Sequence, residues 1–169
     1  MHRTLLVGAI LLASAVFAAN VAGQTSAPSR SNAAPPPPAP APGSAGIFRP
    51  GVELAAALER AKANGGDLAS ASITATDQYR GSMVHRTAPN GAIAHPGNTE
   101  LHYIVEGSGV VETGGTILRK EGEMAVIEGG ESHRVTKGDI IIIPAGSPHR
   151  YSQIDEPITY LEWRWVAPE

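Results

Sequence analysis

The sequence contains no cysteine among its 169 residues. Disulfides, thiolate metal ligands and a lipid-modified N-terminal cysteine are therefore excluded. A folded domain of this chain must be stabilised by its core alone. Any metal site that it contains must use nitrogen and oxygen ligands.

Aromatic residues are scarce, at 5% of the chain, and positive charge is not concentrated in any stripe. Without residues 1–23, which hold one Arg and no acid, the chain has 12 Lys and Arg against 16 Asp and Glu, a net charge of −4 with histidines neutral. Nucleic-acid binding usually needs a basic surface and often aromatic platforms for the bases. Nucleic acid is therefore not expected as a partner.

Long apolar runs are missing apart from one at the N-terminus. A positive start, Met-His-Arg, precedes an uncharged and mostly apolar stretch over residues 4–23 that ends in small residues. This pattern predicts a signal peptide over residues 1–23 and a secreted or periplasmic location. An uncleaved membrane anchor is the alternative, but a spanning helix needs about 20 apolar residues, and Ser14 and Asn20 interrupt this run. No stable membrane insertion is expected after signal removal.

Proline is concentrated in one segment. Residues 24–46 are almost entirely Ala, Pro, Ser and Gly and include PPPPAPAP. Such a segment has little to bury and favours extended polyproline II, so it predicts a disordered linker. Residues 47–169 suffice for one domain and not for two.

One helix precedes a series of strands. VELAAALERAKA, residues 52–63, is rich in helix formers and lies between Pro50 and an Asn-Gly-Gly stop. Beyond it, short strands are punctuated by glycine and proline, which predicts an all-β sandwich or barrel. Residues 140–143 are four consecutive isoleucines, which predicts a strand covered on both faces.

A glycine- and proline-containing motif follows those isoleucines directly. GDIIIIPAGSPHRYSQ, residues 138–153, resembles the second signature of the cupin superfamily. Gly138, Pro144, Gly146 and His149 fall in register with it, and Gln153 replaces the closing asparagine of the family.

The stretch HPGNTELHYIVEG is similar to the first cupin signature but diverges from it. Aligning its YIVEG ending places Glu100 on the carboxylate ligand and His95 on the second histidine of H-x-H. Ile93 stands where the first histidine is expected. The chain thus resembles a single-domain, exported, bacterial-type cupin with a divergent first motif. The resemblance implies a single cupin jelly-roll β-barrel with a short N-terminal helix.

The resemblance and strand alternation leave two ligand sets open. His102 lies two residues after Glu100, so both side chains should share one face of a strand. The metal ligands are then His95, Glu100, His102 and His149, or the same set without His102. Burying the Glu100 carboxylate beside imidazoles is costly without a compensating cation or hydrogen bonds. These ligand types suit a divalent metal ion such as Fe, Mn, Ni, Co or Zn.

These observations leave three function classes open, and the expected partner is a small-molecule ligand or substrate. By resemblance the chain is a metal-dependent enzyme, dioxygenase-, isomerase- or lyase-like, with Tyr151 or an unliganded His102 transferring a proton. A non-catalytic module that binds a small ligand or a metal is the alternative, favoured by Ile93. A structural role through strand pairing leaves a homodimer open, and the last strand, residues 159–166, is then either a core strand or an interface.

Overall fold

The computed structural model of the chain describes residues 37–39 and 41–166. These residues lie in the second of two units into which the chain separates, Ala34–Glu169. The predicted signal peptide, residues 1–23, lies outside the described residues, as does most of the predicted linker. Within the described part, no helix is both long enough and apolar enough to cross a membrane.

The predicted helix is confirmed as α1, Gly51–Ala63. Its first turn is closed by the Pro50 carbonyl, which accepts hydrogen bonds from the backbone N–H of Glu53 and Leu54. After the helix, Gly65 adopts a left-handed conformation (φ 78°), which reverses the chain at the helix end. The buried face of α1 packs on the first strand through Leu58, Ala69 and Ala71.

The remainder of the described chain is built from eight strands. In chain order they are β1 (Leu68–Ala75), β2 (Tyr79–Arg86), β3 (Asn98–Thr113), β4 (Thr116–Leu118), β5 (Val126–Glu128), β6 (Glu131–Thr136), β7 (Ile140–Ile143) and β8 (His149–Val166). All pairings are antiparallel. One sheet has the order β1-β2-β8-β3-β6, with β7 also paired to β3, and β4 and β5 form a separate two-stranded sheet.

Two long strands, β3 and β8, form the centre of the larger sheet. Their pairing is interrupted by register shifts around residues 104–111. Gly107 lies in this bend with a φ of 84°, and a Cβ atom there would collide with the backbone carbonyl of Pro157. β7 pairs with residues 100–103 of β3, and β6 pairs with residues 108–113. The two short strands therefore lie one after the other along the same side of β3.

The mostly-β fold with one helix is confirmed, whereas the closed barrel is not. Hydrogen bonding among the described residues gives an open six-stranded sheet and a separate hairpin, with no ring of strands. The last strand, residues 159–166, belongs to β8 and is flanked by β2 on one side and β3 on the other. It is therefore an internal strand of the sheet.

The inner face of the bent sheet carries the main core. The buried side chains that pack together there are Val84, Ile104, Val111, Val135, Tyr151, Ile158 and Tyr160. This cluster lies beside the polar side chains described below, because β2, β3 and β8 contribute to both.

The prediction that the isoleucine strand is covered on both faces is wrong. Ile143 is buried and Ile141 packs against the core, but Ile140 and Ile142 are 59% and 61% exposed. The reason is that β7 is a short strand at the edge of an antiparallel sheet, where only the inner face meets the core.

Part of the predicted linker contacts the turn between β1 and β2. The Asp77 N–H donates to the Pro37 carbonyl at 3.0 Å. The Ala39 N–H in turn donates to Asp77 Oδ1 at 2.9 Å. These bonds place residues 37–39 beside this turn.

Candidate metal centre

Glu100 and His102 lie on the inner face of β3, and they are only 1% and 2% exposed. The intervening Leu101 points to the opposite face, as the two-residue period of a strand requires. Polar residues interrupt an apolar strand here because their side chains enter the interior of the domain.

His149 reaches the same place from the start of β8. The chain turns sharply at residues 144–146, and the His149 ring then lies with Nδ1 3.0 Å from the Ser147 carbonyl oxygen. When Nδ1 carries the proton and donates it to that carbonyl, the Nε2 lone pair is left free. Nε2 lies 3.7 Å from Glu100 Oε2, and such outer hydrogen bonds typically orient metal-binding imidazoles.

His95 approaches from the loop before β3. Its carbonyl accepts a hydrogen bond from the Gly146 N–H at 3.0 Å, which ties this loop to the turn before His149. His95 Nε2 lies 3.4 Å from Glu100 Oε1, yet both atoms are buried without a hydrogen-bond partner. The His95 and His149 ring centroids are 5.5 Å apart.

The structure brings His95, Glu100 and His149 together as one group. Each offers a ligand atom, and these atoms lie within 4.8 Å of one another. Two imidazoles and one carboxylate are a donor set that suits Fe, Mn, Co, Ni or Zn. The two unpartnered buried atoms that face each other are what a bound cation would satisfy, so these residues fit a divalent metal.

His102 lies next to this group but belongs to a second one, with Glu100 and Glu162. Its Nε2 is 3.3 Å from Glu100 Oε2, and its Nδ1 is 3.2 Å from the Tyr151 hydroxyl oxygen. Both ring nitrogens therefore have protein partners. The predicted proton-transfer residues His102 and Tyr151 are in contact, and their roles stay predictions.

Two residues of the centre, Glu162 and Arg164, were not among the predicted site residues. Arg164 Nε lies 3.2 Å from Glu100 Oε2 and 3.0 Å from Glu162 Oε1, and its Nη2 donates to Glu162 Oε2 at 3.1 Å. Alternation along residues 159–166 places Tyr160, Glu162 and Arg164 on one face. That polar face was a usable signal, but nothing local indicated that it pairs with the inner face of β3.

Burial sets the protonation states in this centre. It is the main cause that raises the pKa of Glu100 and lowers the pKa of His95 and His149. Burial also lowers the pKa of His102 to about 4. All three imidazoles are therefore neutral at pH 7, which is the form that binds a metal.

The tyrosines on the inner face stay protonated for the same reason. Burial raises the pKa of Tyr151 well above its ordinary value and that of Tyr160 to about 12. Tyr151 would therefore take part in proton transfer as a neutral phenol and not as a phenolate.

A cavity of about 170 Å³ opens beside His102 and His149. Its other lining residues are Leu68, Ser70, Val84, Arg86, Asn90, Ile93, Arg150, Tyr151, Tyr160, Glu162 and Arg164. A second cavity, of about 520 Å³, reaches His95 and Arg164 from another direction. Arg164 lines both cavities, so the centre is accessible to a small molecule.

Apart from the Arg150–Glu112 pair and the exposed Arg80, two carboxylates and two guanidinium groups lie between the first cavity and the centre. Glu100 and Glu162 are the carboxylates, and Arg86 and Arg164 are the guanidinium groups of that inner face. A divalent cation at the centre would add two positive charges to a set that is otherwise neutral.

Comparison with known families gave a match over part of the chain. A family model described as "Cupin domain" matches residues 116–164. A search of the curated proteins found no match to this chain.

Several solved structures are similar at low identity. The cupin domain of Cnp3 from Schizosaccharomyces pombe has 15% identity and a TM-score of 0.46, covering 61% of this chain and 67% of that one. A predicted oxalate decarboxylase from Thermotoga maritima has 16% identity and a TM-score of 0.47, covering 60% and 83%. The DMSP lyase DddQ from Ruegeria pomeroyi has 21% identity and a TM-score of 0.44, covering 60% and 47%. At these identities and TM-scores the similarities carry no argument about the chemistry of this chain.

Proposed function

We propose a function for this chain as a member of the cupin superfamily, the family that its domain match supports. It is an exported, metal-dependent enzyme of the dioxygenase, isomerase or lyase kind, and it acts on a small organic molecule. The observation that carries this proposal is the buried group of His95, Glu100 and His149. In that group an imidazole nitrogen and a carboxylate oxygen face each other at 3.4 Å without a hydrogen-bond partner.

His95, Glu100 and His149 would hold the metal. When bound, such a cation acts as a Lewis acid that polarises an oxygen of the substrate and stabilises developing negative charge. Glu100 neutralises one of its two charges. Ser147 fixes the ring of His149 through its carbonyl, so that Nε2 stays directed at the centre.

His102 and Tyr151 supply proton transfer in this proposal. The neutral His102 ring lines the cavity and lies 3.2 Å from the Tyr151 hydroxyl oxygen through Nδ1. A proton can pass between the imidazole and the phenol while both remain out of bulk water. General acid–base transfer of this kind contributes about 10²- to 10⁴-fold to a rate.

The remaining parts of the proposal rest on the sequence and on the exposure of one strand. The pattern of residues 1–23 supports export to the periplasm or medium, with residues 24–46 as a spacer. The two cupin-like motifs support a jelly-roll arrangement of the strands, and exposed apolar residues on β7 support pairing with a second copy of this chain.

Metal analysis of the purified full chain tests the proposal. We expect about one divalent ion per chain in the unmodified protein and loss of that ion in His149→Ala. His133→Ala is the matched control, because His133 is exposed and its ion pair in the described part of the chain is with the exposed Glu131. Full occupancy in His149→Ala, or no metal in the unmodified protein after incubation with each of the five candidate metals, would contradict it.

The His102→Ala variant separates the two ligand sets. Since His102 is grouped with Glu162 rather than with His95 and His149, we expect His102→Ala to retain its metal. Loss of metal would instead make His102 a fourth ligand.

A non-catalytic binding module is the second candidate, and one observation favours it. Arg164 Nε lies 3.2 Å from Glu100 Oε2, so a guanidinium group already compensates part of the buried charge without a metal. Saturable binding of a small molecule to chelator-treated protein, without turnover of that molecule, would select this candidate.

A further inference from the structure

Three arginines line the cavity beside the metal centre, and two of them have carboxylate partners. Arg150 Nε donates to Glu112 Oε2 at 2.7 Å, and Arg164 Nε lies 3.0 Å from Glu162 Oε1. Arg86 is different, because in the described part of the chain no carboxylate lies within ion-pair distance of it. The cavity therefore contains one cation whose charge is not matched by a direct partner.

The position of Arg86 is well defined by its surroundings. It is the last residue of β2, and its guanidinium carbon lies 5.6 Å from the centroid of the Tyr151 ring. Stacking on an aromatic face orients the planar guanidinium group. Its Nε is buried and Arg86 lines the cavity, so a ligand there would meet the terminal nitrogens of the guanidinium group.

We propose that the molecule bound in this cavity is a small organic acid whose carboxylate pairs with Arg86. The guanidinium group presents parallel N–H donors that match the two oxygens of a carboxylate. This inference rests on the proposed function, since it names the class of substrate for the same centre.

The size and lining of the cavity limit the rest of the acid. A volume of about 170 Å³ is below the roughly 300–1,000 Å³ typical of cavities for drug-sized ligands. Val84 and Ile93 form an apolar part of the cavity wall. His149, which belongs to the metal centre, also lines the cavity. The acid is therefore short, with a small apolar body between its carboxylate at Arg86 and an oxygen that reaches the centre.

Calorimetric titration of the full chain with acid and amide pairs tests this inference. The probes are acetate, propionate, lactate and pyruvate, and lactamide serves as the neutral isostere of lactate. We expect saturable binding of at least one acid and at least about ten-fold weaker binding of its amide. Arg86→Met should lower the affinity for the acid about ten- to hundred-fold and abolish the preference over the amide.

Two further variants control for charge and folding. Arg150→Met removes the same charge from the same cavity, but because Arg150 is already paired with Glu112, the preference for acid over amide should persist. Arg86→Lys keeps the charge but cannot form the bidentate hydrogen bonds of a guanidinium group, so its affinity for the acid should lie between those of the unmodified protein and Arg86→Met. Equal binding of acid and amide by the unmodified protein, unchanged affinity in Arg86→Met, or no saturable binding of any of the four acids would overturn the inference.

Repeating the titrations with metal-loaded and chelator-treated protein separates this inference from the proposed function. If metal binds and acid affinity does not depend on Arg86, the acid is held by the metal alone, so the inference fails and the function stands. If acid affinity depends on Arg86 but metal analysis finds no bound ion even after incubation with metal, the inference stands and the proposed function fails.

Discussion

At the scale of single residues, position 93 connects the divergent first motif with the centre. The Ile93 N–H donates to the His149 carbonyl at 3.1 Å, and the His149 N–H donates to the Ile93 carbonyl at 2.9 Å. Residues that face each other in an antiparallel bridge project their side chains to the same side. Ile93 and His149 both line the first cavity. The missing histidine therefore leaves an apolar side chain next to a predicted ligand.

We predict that Ile93→His adds an imidazole beside His149 and increases the affinity for Zn²⁺ or Ni²⁺ about ten-fold or more, equivalent to about 1.4 kcal/mol. Competition with a chromophoric chelator measures the dissociation constant. Ile93→Leu is the control, because it keeps the apolar volume without a donor and should leave the affinity unchanged. An unchanged dissociation constant in Ile93→His would show that position 93 does not face the metal.

At the scale of elements, the bend in β3 allows one strand to serve two parts of the fold. Its first part carries Glu100 and His102 and pairs with β7, while its second part pairs with β6. Gly107 lies in the bend at positive φ, and its missing Cβ leaves space for the Pro157 carbonyl. The close approach of β3 to β8 at this point depends on glycine for two separate reasons.

We predict that Gly107→Ala destabilises the fold more than Gly114→Ala. Gly114 also has a positive φ, of 77°, but a Cβ there would meet nothing within 4 Å. Gly114→Ala should cost about 1–2 kcal/mol for the left-handed backbone alone, and Gly107→Ala about 1–3 kcal/mol more for the steric conflict. Urea unfolding followed by circular dichroism measures both, and equal unfolding free energies would contradict the role assigned to the Pro157 contact.

At the scale of the whole molecule, the outer face of the larger sheet is covered unevenly. Helix α1 packs over the β1 and β2 end, where Met83 packs against the cluster of Leu58, Ala69 and Ala71. At the other end Ile140, Ile142 and Tyr103 are exposed, and Tyr103 and Ile140 are paired across β3 and β7. Apolar residues grouped in this way often mark an interaction surface.

We predict that a second copy of the chain covers this surface and that the protein is a dimer in solution. Ile142→Asp should shift the mass measured by light scattering to that of a monomer without changing the circular dichroism spectrum. Met124→Asp is the control, because Met124 is also exposed, at 54%, but lies outside the larger sheet. A stable interface needs about 800 Å² per partner, so neighbouring residues would also be covered. A monomeric unmodified protein at high concentration would contradict this prediction.

Local patterns in the sequence were sufficient to predict the helix and one face of a strand, but not the contacts between distant strands. The helix followed from its composition and its glycine stop, and the shared face of Glu100 and His102 followed from a two-residue period. Arg164 lies 64 positions after Glu100 in the sequence, so the contact between them depends on how β8 aligns with β3. That alignment is set by packing across the whole sheet and leaves no local signal.

The same limit explains one wrong prediction and one residue that sequence reasoning missed. Four isoleucines in a row indicate a strand, but they do not reveal whether another layer covers its outer side, which depends on the position of that strand in the sheet. Arg86 resembles any charged residue at a strand end, and only its position over Tyr151, beside an otherwise paired set of charges, distinguishes it.

The balance of two carboxylates and two guanidinium groups on the inner face has a thermodynamic consequence. A divalent ion entering this neutral set makes it electropositive, and an anion entering it makes it electronegative. Each should therefore strengthen the retention of the other by an equal factor, as linkage between two equilibria requires. When both are dilute, this mutual reinforcement would keep the ion bound while the anion is present and release it more readily once the anion has left.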